Sequence, residues 1–286
     1  MRSEEFQCVL QSDATITEAL KWAKEHLHKS CERPQLEAEL LLAYHLKKER
    51  IYLIAHGHDV VGNIENYQKL IQRRAKHEPY EYIVGSASFY DIHLKVEPGV
   101  LIPRPETEIL IDHVAEIIEK EKIKKIAEIG VGSGAISIVL ARKFPQLKII
   151  ATDICNTPLK VAKENIERFG LSKQIQLYKS NLIDLVSEPV ELVVSNPPYI
   201  AKDFLLESNV VDYEPKEALF GGRVGDELLK QIIVDVKNRG IKWLVCEMGY
   251  DQKEPILAFV NEIGVKSIKF YKDLAGFDRG FMLSFY

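Results

Sequence analysis

Asn196-Pro197-Pro198-Tyr199 is the segment whose residue types and spacing bear most directly on chemistry. Two successive prolines make a stiff turn that presents the Pro197 carbonyl outward. The Asn196 side-chain oxygen and that carbonyl then form two acceptors at fixed separation, which suits a planar NH2 group with two donors. The nitrogen of an amide or exocyclic amine is a poor nucleophile because its lone pair is delocalised. Two acceptors can pull on its hydrogens while aiming it at an electrophile, and Tyr199 can stack on the flat group. A proline turn that only caps a strand would leave Asn196 and Tyr199 without a task.

A second constellation is Glu128-Ile129-Gly130-Val131-Gly132-Ser133-Gly134-Ala135, which runs from a strand-like stretch into a helix-like one. Its three glycines permit positive φ and close backbone approach, placing a ligand against amides at a helix N-terminus. Gly130-x-Gly132-x-x-Ala135 also satisfies the loose dinucleotide fingerprint, so the loop alone admits NAD. Asp153 stands at the end of the next strand-like run. A carboxylate there can accept two hydrogen bonds from a ribose diol, as in adenosylmethionine and NAD sites. It could also cap a helix from about Asn156 to Phe169.

These residues need a scaffold that gathers them. From Lys124 onward, strand-like runs cover Lys125 to Ile129, Lys148 to Thr152, Ile175 to Tyr178, Val190 to Ser195, Trp243 to Glu247, Ser267 to Lys272 and Gly280 to Phe285. Helical segments lie between most of them, which predicts an α/β fold with a doubly wound, mostly parallel sheet of seven strands. Ligands in such folds sit beyond the carboxyl ends of the strands, so Asn196 would face the glycine loop.

Residues 1–78 read as a small helical bundle. Thr15-x-x-Glu18 is a capping box before Ile16, Leu20, Ala23 and Leu27, and Pro34 suits the first turn of a helix towards Leu46. A shorter element follows at Ile51 to Ala55 and a longer one from about Ile64 to His77. Residues 79–105 form a β-hairpin linker, because Tyr80, Tyr82, Ile83, Val84, Phe89, Tyr90, Ile92, Leu94 and Val96 favour strands and Gly85 and Asp91 interrupt them. Residues 106–286 make the sheet domain, entered by a helix from Glu106 to Lys120.

With 38 basic and 42 acidic residues the net charge is −4, so no global attraction to a polyanion follows and constitutive nucleic-acid binding is not expected. Glu4, Glu5 and Asp13 occupy the stretch where a secretory signal would be apolar, and no apolar run of membrane-spanning length occurs, so a cytoplasmic protein without a membrane is expected. Cys8, Cys31, Cys155 and Cys246 form no Cys-x-x-Cys pair, and no metal site is expected. All eight histidines lie within the first 113 residues, so the C-terminal chemistry must proceed without one from that region.

With these motifs the sequence resembles the adenosylmethionine-dependent amino-methyltransferases that carry Asn-Pro-Pro-Tyr. Within them it is similar to the HemK/PrmC protein methyltransferases, which modify the glutamine of the Gly-Gly-Gln motif in peptide chain release factors. The family has similar words at Glu78-Pro79-x-x-Tyr82-Ile83-x-Gly85, Phe89-Tyr90, Leu101-Ile-Pro-Arg-Pro-Glu-Thr-Glu108, Glu214-Pro215-x-x-Ala218-Leu-x-Gly221-Gly222 and Glu247-x-Gly249-x-x-Gln252.

The resemblance implies a helical substrate-recognition domain, a hairpin linker and a Rossmann-like methyltransferase domain whose last strand is antiparallel. It implies S-adenosylmethionine as cofactor, S-adenosylhomocysteine as product and release factors as protein partners. Gly130, Val131, Gly132, Ser133 and Gly134 would contact the cofactor, Asp153 would hold its ribose, and Asn181 and Leu182 would lie near the adenine. Asn196, Pro197, Pro198 and Tyr199 would hold the glutamine amide, with Asn196, Pro197 and Tyr199 catalytic and Asn196 also bordering the cofactor. Pro103 would belong to a wall over cofactor and amide. The sequence departs from the family at Glu128 and Asn181, where aspartates are usual.

Three other readings compete. An adenine amino group presents the same two donors, and Arg73, Arg74 and Lys76 form a small basic cluster that could serve a nucleic-acid methyltransferase. An NAD-dependent oxidoreductase would use the glycine loop but not Asn196. A silent binding module would need neither intact glycines nor Asn196. For Arg104 an ion pair with Glu106 or Glu108 stands as an equal alternative to a role in the wall, and Gly221-Gly222-x-x-Gly225 is expected to be a flexible loop near the substrate mouth.

Overall fold

The structure, a computed structural model, describes residues 10–286. Cys8 and the acidic stretch at Glu4 and Glu5 lie outside the described residues. The chain divides into two compact units, the first holding the described residues up to Gly85 together with Ser208–Tyr213, the second holding Ser86–Glu207 and Glu214–Tyr286.

The first unit is built from α1 (Ile16–Leu27), α2 (Pro34–Leu46), α3 (Arg50–Ala55), α4 (Ile64–Ala75) and α5 (Tyr80–Val84). Thr15 and Glu18 form the expected capping box, with the Glu18 amide donating to Thr15 Oγ1 at 3.3 Å and the Thr15 amide to Glu18 Oε2 at 2.8 Å. Helical spacing turns Ile16, Ala23, Leu27, Leu41, Leu42 and Ile71 into one apolar core around Tyr67, whose hydroxyl donates to the Ala38 carbonyl at 3.0 Å. Arg73 is paired with Glu78, and Arg74 with Glu37, so two cations of the basic cluster are already committed to carboxylates.

The β-rich residues Tyr80, Tyr82, Ile83 and Val84 are helical, contrary to their strand propensity. Pro79 starts the turn, Gly85 stops it at φ 70°, and Tyr82 and Ile83 are buried. With so short a segment, tertiary packing overrides propensity. The hairpin is therefore confined to β1 (Ser86–Phe89) and β2 (Ile92–Lys95). Tyr90 and Asp91 form its tip, with Tyr90 at φ 50°.

The rest of the second unit follows as α6 (Glu106–Glu121), β3 (Lys125–Ile129), α7 (Ala135–Lys143), β4 (Lys148–Asp153), α8 (Asn156–Arg168), β5 (Ile175–Lys179), β6 (Leu192–Ser195) and β7 (Ile200–Ala201). Beyond the short α9 (Ser208–Val211), which belongs to the first unit, come β8 (Phe220–Gly222), α10 (Glu227–Asn238), β9 (Trp243–Glu247), α11 (Lys253–Ile263), β10 (Ser267–Lys272) and β11 (Asp278–Ser284). Seven strands form one sheet in the order β10-β11-β9-β6-β3-β4-β5, parallel except for β11, which runs antiparallel to both neighbours. Its central strands are apolar on both faces, as a sheet covered by helices requires.

Register matters more here than strand count. Ile129 pairs with Thr152 on one side and Ser195 on the other, and Ser195 pairs with Cys246. One residue further on, Asp153, Gly130, Asn196 and Glu247 stand level across four adjacent strands at their carboxyl ends. Strand order reverses between β3 and β6, and the crevice at such a reversal is where ligands bind in this architecture.

Candidate active site

The glycine loop is held open by its backbone. The amides of Gly130 and Val131 both donate to the Thr152 carbonyl at 2.9 Å, and Gly130, Gly132 and Gly134 have φ of 76°, 54° and 87°. A Cβ on Gly132 would meet nothing within 4 Å, so its φ alone requires glycine and the space beside it stays free. A Cβ on Gly134 would press on Ile138 Cδ1 at 3.2 Å, so this glycine serves helix packing.

Asp153 closes the loop from the next strand. Its Oδ2 accepts the Gly132 amide at 3.2 Å and its Oδ1 the Cys155 amide at 2.9 Å. Burial pushes its carboxyl up, and the backbone amides of Cys155, Gly132 and Ile154 oppose that rise. The residue preceding α8 is Cys155, which makes no side-chain cap, so Asp153 does not act there as the N-cap.

A cavity of about 360 Å³ lies over this row, within the range of small-molecule sites. Gly130, Gly132, Asp153, Asn181, Leu182, Asn196, Pro197 and Pro198 line it. Leu182 stands at φ 45° and its carbonyl accepts from Thr152 Oγ1 at 2.7 Å, which holds Asn181 and Leu182 at the cavity edge. A smaller neighbouring cavity shares Gly130, Gly132 and Asn196 and adds Pro103, Thr107, Glu128, Val131 and Ser133. Tyr199 and Gly134 line neither cavity.

Glu128, one of the two departures from the family pattern, is fully buried, and Ser137 Oγ donates to its Oε2. Burial pushes its carboxyl up to about 8, with the nearby Asp153 adding to the rise. A cationic group entering the smaller cavity would favour ionisation of this acid.

Glu214, 5% exposed, carries the wall over the site. Its Oε2 accepts the Ile102 amide at 3.1 Å and its Oε1 the Arg104 guanidinium. Arg104 thus pairs with neither Glu106 nor Glu108. Glu108 instead accepts the Tyr90 amide at 2.7 Å, because α6 points its first turn at the hairpin tip.

Asn196 donates from Nδ2 to Thr107 Oγ1 at 2.9 Å, and Thr107 donates to Glu247 Oε2 at 2.8 Å. Tyr199 donates to Glu247 Oε1 at 2.9 Å, and burial beside that carboxylate raises the phenol far above its ordinary value. Gln252 donates to the Tyr199 carbonyl at 2.7 Å and accepts the Gly249 amide at 2.9 Å.

The expected flexible loop at Gly221-Gly222 is strand β8, paired in parallel with β7. A Cβ on Gly221 would collide with the Pro198 and Gly225 carbonyls, so these glycines let one backbone lie flush on another. The Asn-Pro-Pro-Tyr turn is thus clamped on both sides. Thr107, Glu214, Glu247 and Gln252 were not assigned roles from sequence. Each lies inside a family-like word quoted above, which was the available signal.

The comparisons with known proteins agree with this geometry. A family model described as PrmC N-terminal domain matches residues 18–85, and one described as Methyltransferase small domain matches residues 105–212. A release factor glutamine methyltransferase of Clostridium botulinum is 37% identical, covering 86% of this chain and 90% of that protein. Those of Dictyoglomus turgidum and Coxiella burnetii are 42% and 37% identical, covering 79% and 93% of this chain and 82% and 97% of theirs. Among solved structures, the hMettl16 catalytic domain in complex with MAT2A 3'UTR hairpin 6 superposes with a TM-score of 0.57 at 20% identity, covering 68% of this chain and 75% of that one. At that identity the likeness shows the fold alone.

Proposed function

The chain belongs to the release factor glutamine methyltransferase family, and from that premise we propose that it transfers a methyl group from S-adenosylmethionine to the side-chain amide nitrogen of the Gly-Gly-Gln glutamine in a peptide chain release factor, tuning translation termination. The observation that carries this reading is the level row of Asp153, Gly130 and Asn196, which sets a polar cradle beside two fixed acceptors.

The residues present suit that cofactor. Gly132 leaves open space where any other residue would place a Cβ, Asp153 offers a carboxylate at the ribose position, and Glu128 can meet positive charge in the adjoining cavity. Asn181 and Leu182 border the position expected for the adenine. When bound, S-adenosylmethionine supplies an electrophilic methyl group on a sulfonium and leaves as S-adenosylhomocysteine.

The protein's own part is positioning and charge. Asn196 Oδ1 and the Pro197 carbonyl accept the two amide hydrogens, hold the nitrogen in place and offset the positive charge that develops on it. Tyr199 acts through its tie to Glu247, which fixes the far end of the turn. The wall from Leu101 to Arg104, with Pro103 in the smaller cavity, covers the site. The helical unit selects the release factor, since one glutamine in a loop offers few contacts for discrimination.

Among the described residues no helix is long and apolar enough to cross a membrane, and the reading places the enzyme with its substrate in the cytoplasm. The competing adenine reading loses support from Arg73 and Arg74, whose charges are met by Glu78 and Glu37. Mass spectrometry of a release factor incubated with enzyme and cofactor tests the assignment. One methyl on the Gly-Gly-Gln glutamine is expected; transfer elsewhere, or to DNA or RNA instead, overturns it.

A further inference from the structure

An asparagine amide has two nearly isosteric ends with opposite hydrogen-bonding character. Turned one way, Asn196 offers an acceptor to an incoming amide NH2. Turned the other, it offers a second NH2, and donor meets donor. We propose that Thr107 and Glu247 are positioning residues that fix this choice, locking Asn196 with Oδ1 towards the substrate. The inference rests on the reading of the substrate as a primary amide.

The polarity of the chain of hydrogen bonds decides the orientation. Glu247 is 1% exposed and sits at the end of β9, level with Asn196. Burial raises its carboxyl, while the hydroxyls of Thr107 and Tyr199 and the charge of Arg279 oppose that rise; in the carboxylate form that two converging hydroxyl donors favour, it only accepts. Both of its oxygens are occupied by hydroxyl donors, Oε2 by Thr107 at 2.8 Å and Oε1 by Tyr199 at 2.9 Å. Thr107, 4% exposed at the second position of α6, has a single hydroxyl proton and spends it on Glu247. Towards Asn196 the Thr107 oxygen can therefore only accept. Asn196 must present Nδ2, which lies 2.9 Å from that oxygen. Its planar amide then directs Oδ1 away from Thr107, and the residue borders both cavities.

The same carboxylate binds the first and last residues of the tetrapeptide, Asn196 through Thr107 and Tyr199 directly. A buried acid at this place is costly unless every oxygen is satisfied, and here one oxygen is satisfied by Tyr199 of the turn and the other by Thr107 of α6. Neither Thr107 nor Glu247 needs to touch the reacting nitrogen.

The test uses full-length enzyme, an intact release factor and three variants. Thr107→Val keeps the side-chain shape and removes the acceptor, so kcat should fall about 10- to 30-fold, about 1.4 to 2 kcal/mol. Its cofactor affinity, measured by calorimetry, should stay within about twofold. Thr107→Ser should restore kcat to within about threefold. Glu247→Gln has one acceptor oxygen for two hydroxyl donors, so its NH2 must face one of them. It should lose a similar factor, and the double variant T107V/E247Q should be no worse than the poorer single.

A second readout needs no turnover. In the cofactor-free enzyme, one Asn196 side-chain amide proton should be protected from exchange, and Thr107→Val should abolish that protection. Should Glu247→Gln fail to fold, the Thr107 pair and the exchange measurement still decide. Wild-type kcat in Thr107→Val, no rescue by Thr107→Ser, losses that multiply in the double variant, or unprotected Asn196 protons in the wild type would each overturn the lock. Failure of the wild-type enzyme to methylate a release factor would instead overturn the substrate reading, and the exchange measurement would still judge the lock.

Discussion

The helical unit and the catalytic unit bury different chemistry. Among the described residues, every buried Ser, Thr, Asn, Gln, Asp and Glu side chain lies in the catalytic unit, including Thr107, Glu128, Glu214, Glu247 and Gln252. The helical unit fills its interior with Leu, Ile, Ala, Val, one Trp and tyrosines. Buried polar groups weaken a core unless they are fully paired, so a fold does not accumulate them for stability alone. The contrast separates an interior that holds a shape from one that also holds a site.

Four substitutions press on that contrast, beginning with the largest effect. Asn196→Ala should lower methyl transfer by about 100- to 1,000-fold while leaving cofactor affinity within about twofold, because it removes an acceptor that works on the reacting nitrogen. Single-turnover methylation and calorimetry check it; normal turnover with weakened cofactor binding would sink the role. Leu41→Ala, in the helical core, should cost about 3 kcal/mol of stability and leave the turnover of the folded fraction unchanged, as read by denaturant unfolding beside a kinetic assay.

Asp153→Ala comes next, with cofactor affinity expected to fall about 10- to 100-fold and thermal stability to change little, since the residue is only half-buried. Titration calorimetry reads the first and a melting curve the second. The effect that is smallest at each step of its measurement belongs to Glu128. Its folded carboxyl is raised to about 8, so between about pH 4.5 and about pH 8 the unfolded chain ionises it while the folded one keeps the proton. Unfolding free energy should therefore decline as pH rises through that window, by up to about 1.4 kcal/mol per unit, and Glu128→Gln should flatten the decline. Urea unfolding at stepped pH checks this.

How much of this could be read from sequence follows the same division. Helical periodicity marked Ile16, Leu27 and Leu41 as interior, and alternation of strand and helix marked the sheet, because both are local patterns of apolar residues. The glycine loop, Asp153 and Asn196 were legible because each stands where a strand ends. What stayed hidden was partnership across long stretches of chain. Nothing local to Arg104 says that it meets Glu214 rather than Glu106, and nothing local to Thr107 says that it joins Asn196 to Glu247. Those links are set by strand order and register, which propensity does not encode. Tyr80 to Val84 failed for the opposite reason, since a local strand preference yielded to packing on the helical core.

The antiparallel strand β11 is drawn from residues 278–284, yet it sits between β9 and β10, which precede it in the chain. During synthesis, β9 waits with a bare edge and β10 has no partner until those residues emerge from the ribosome. The strand that carries Glu247 is therefore an outermost one from its own synthesis until those last residues follow, and a nascent chain arrested shortly before residue 278 would leave a sticky, unfinished sheet rather than a working enzyme.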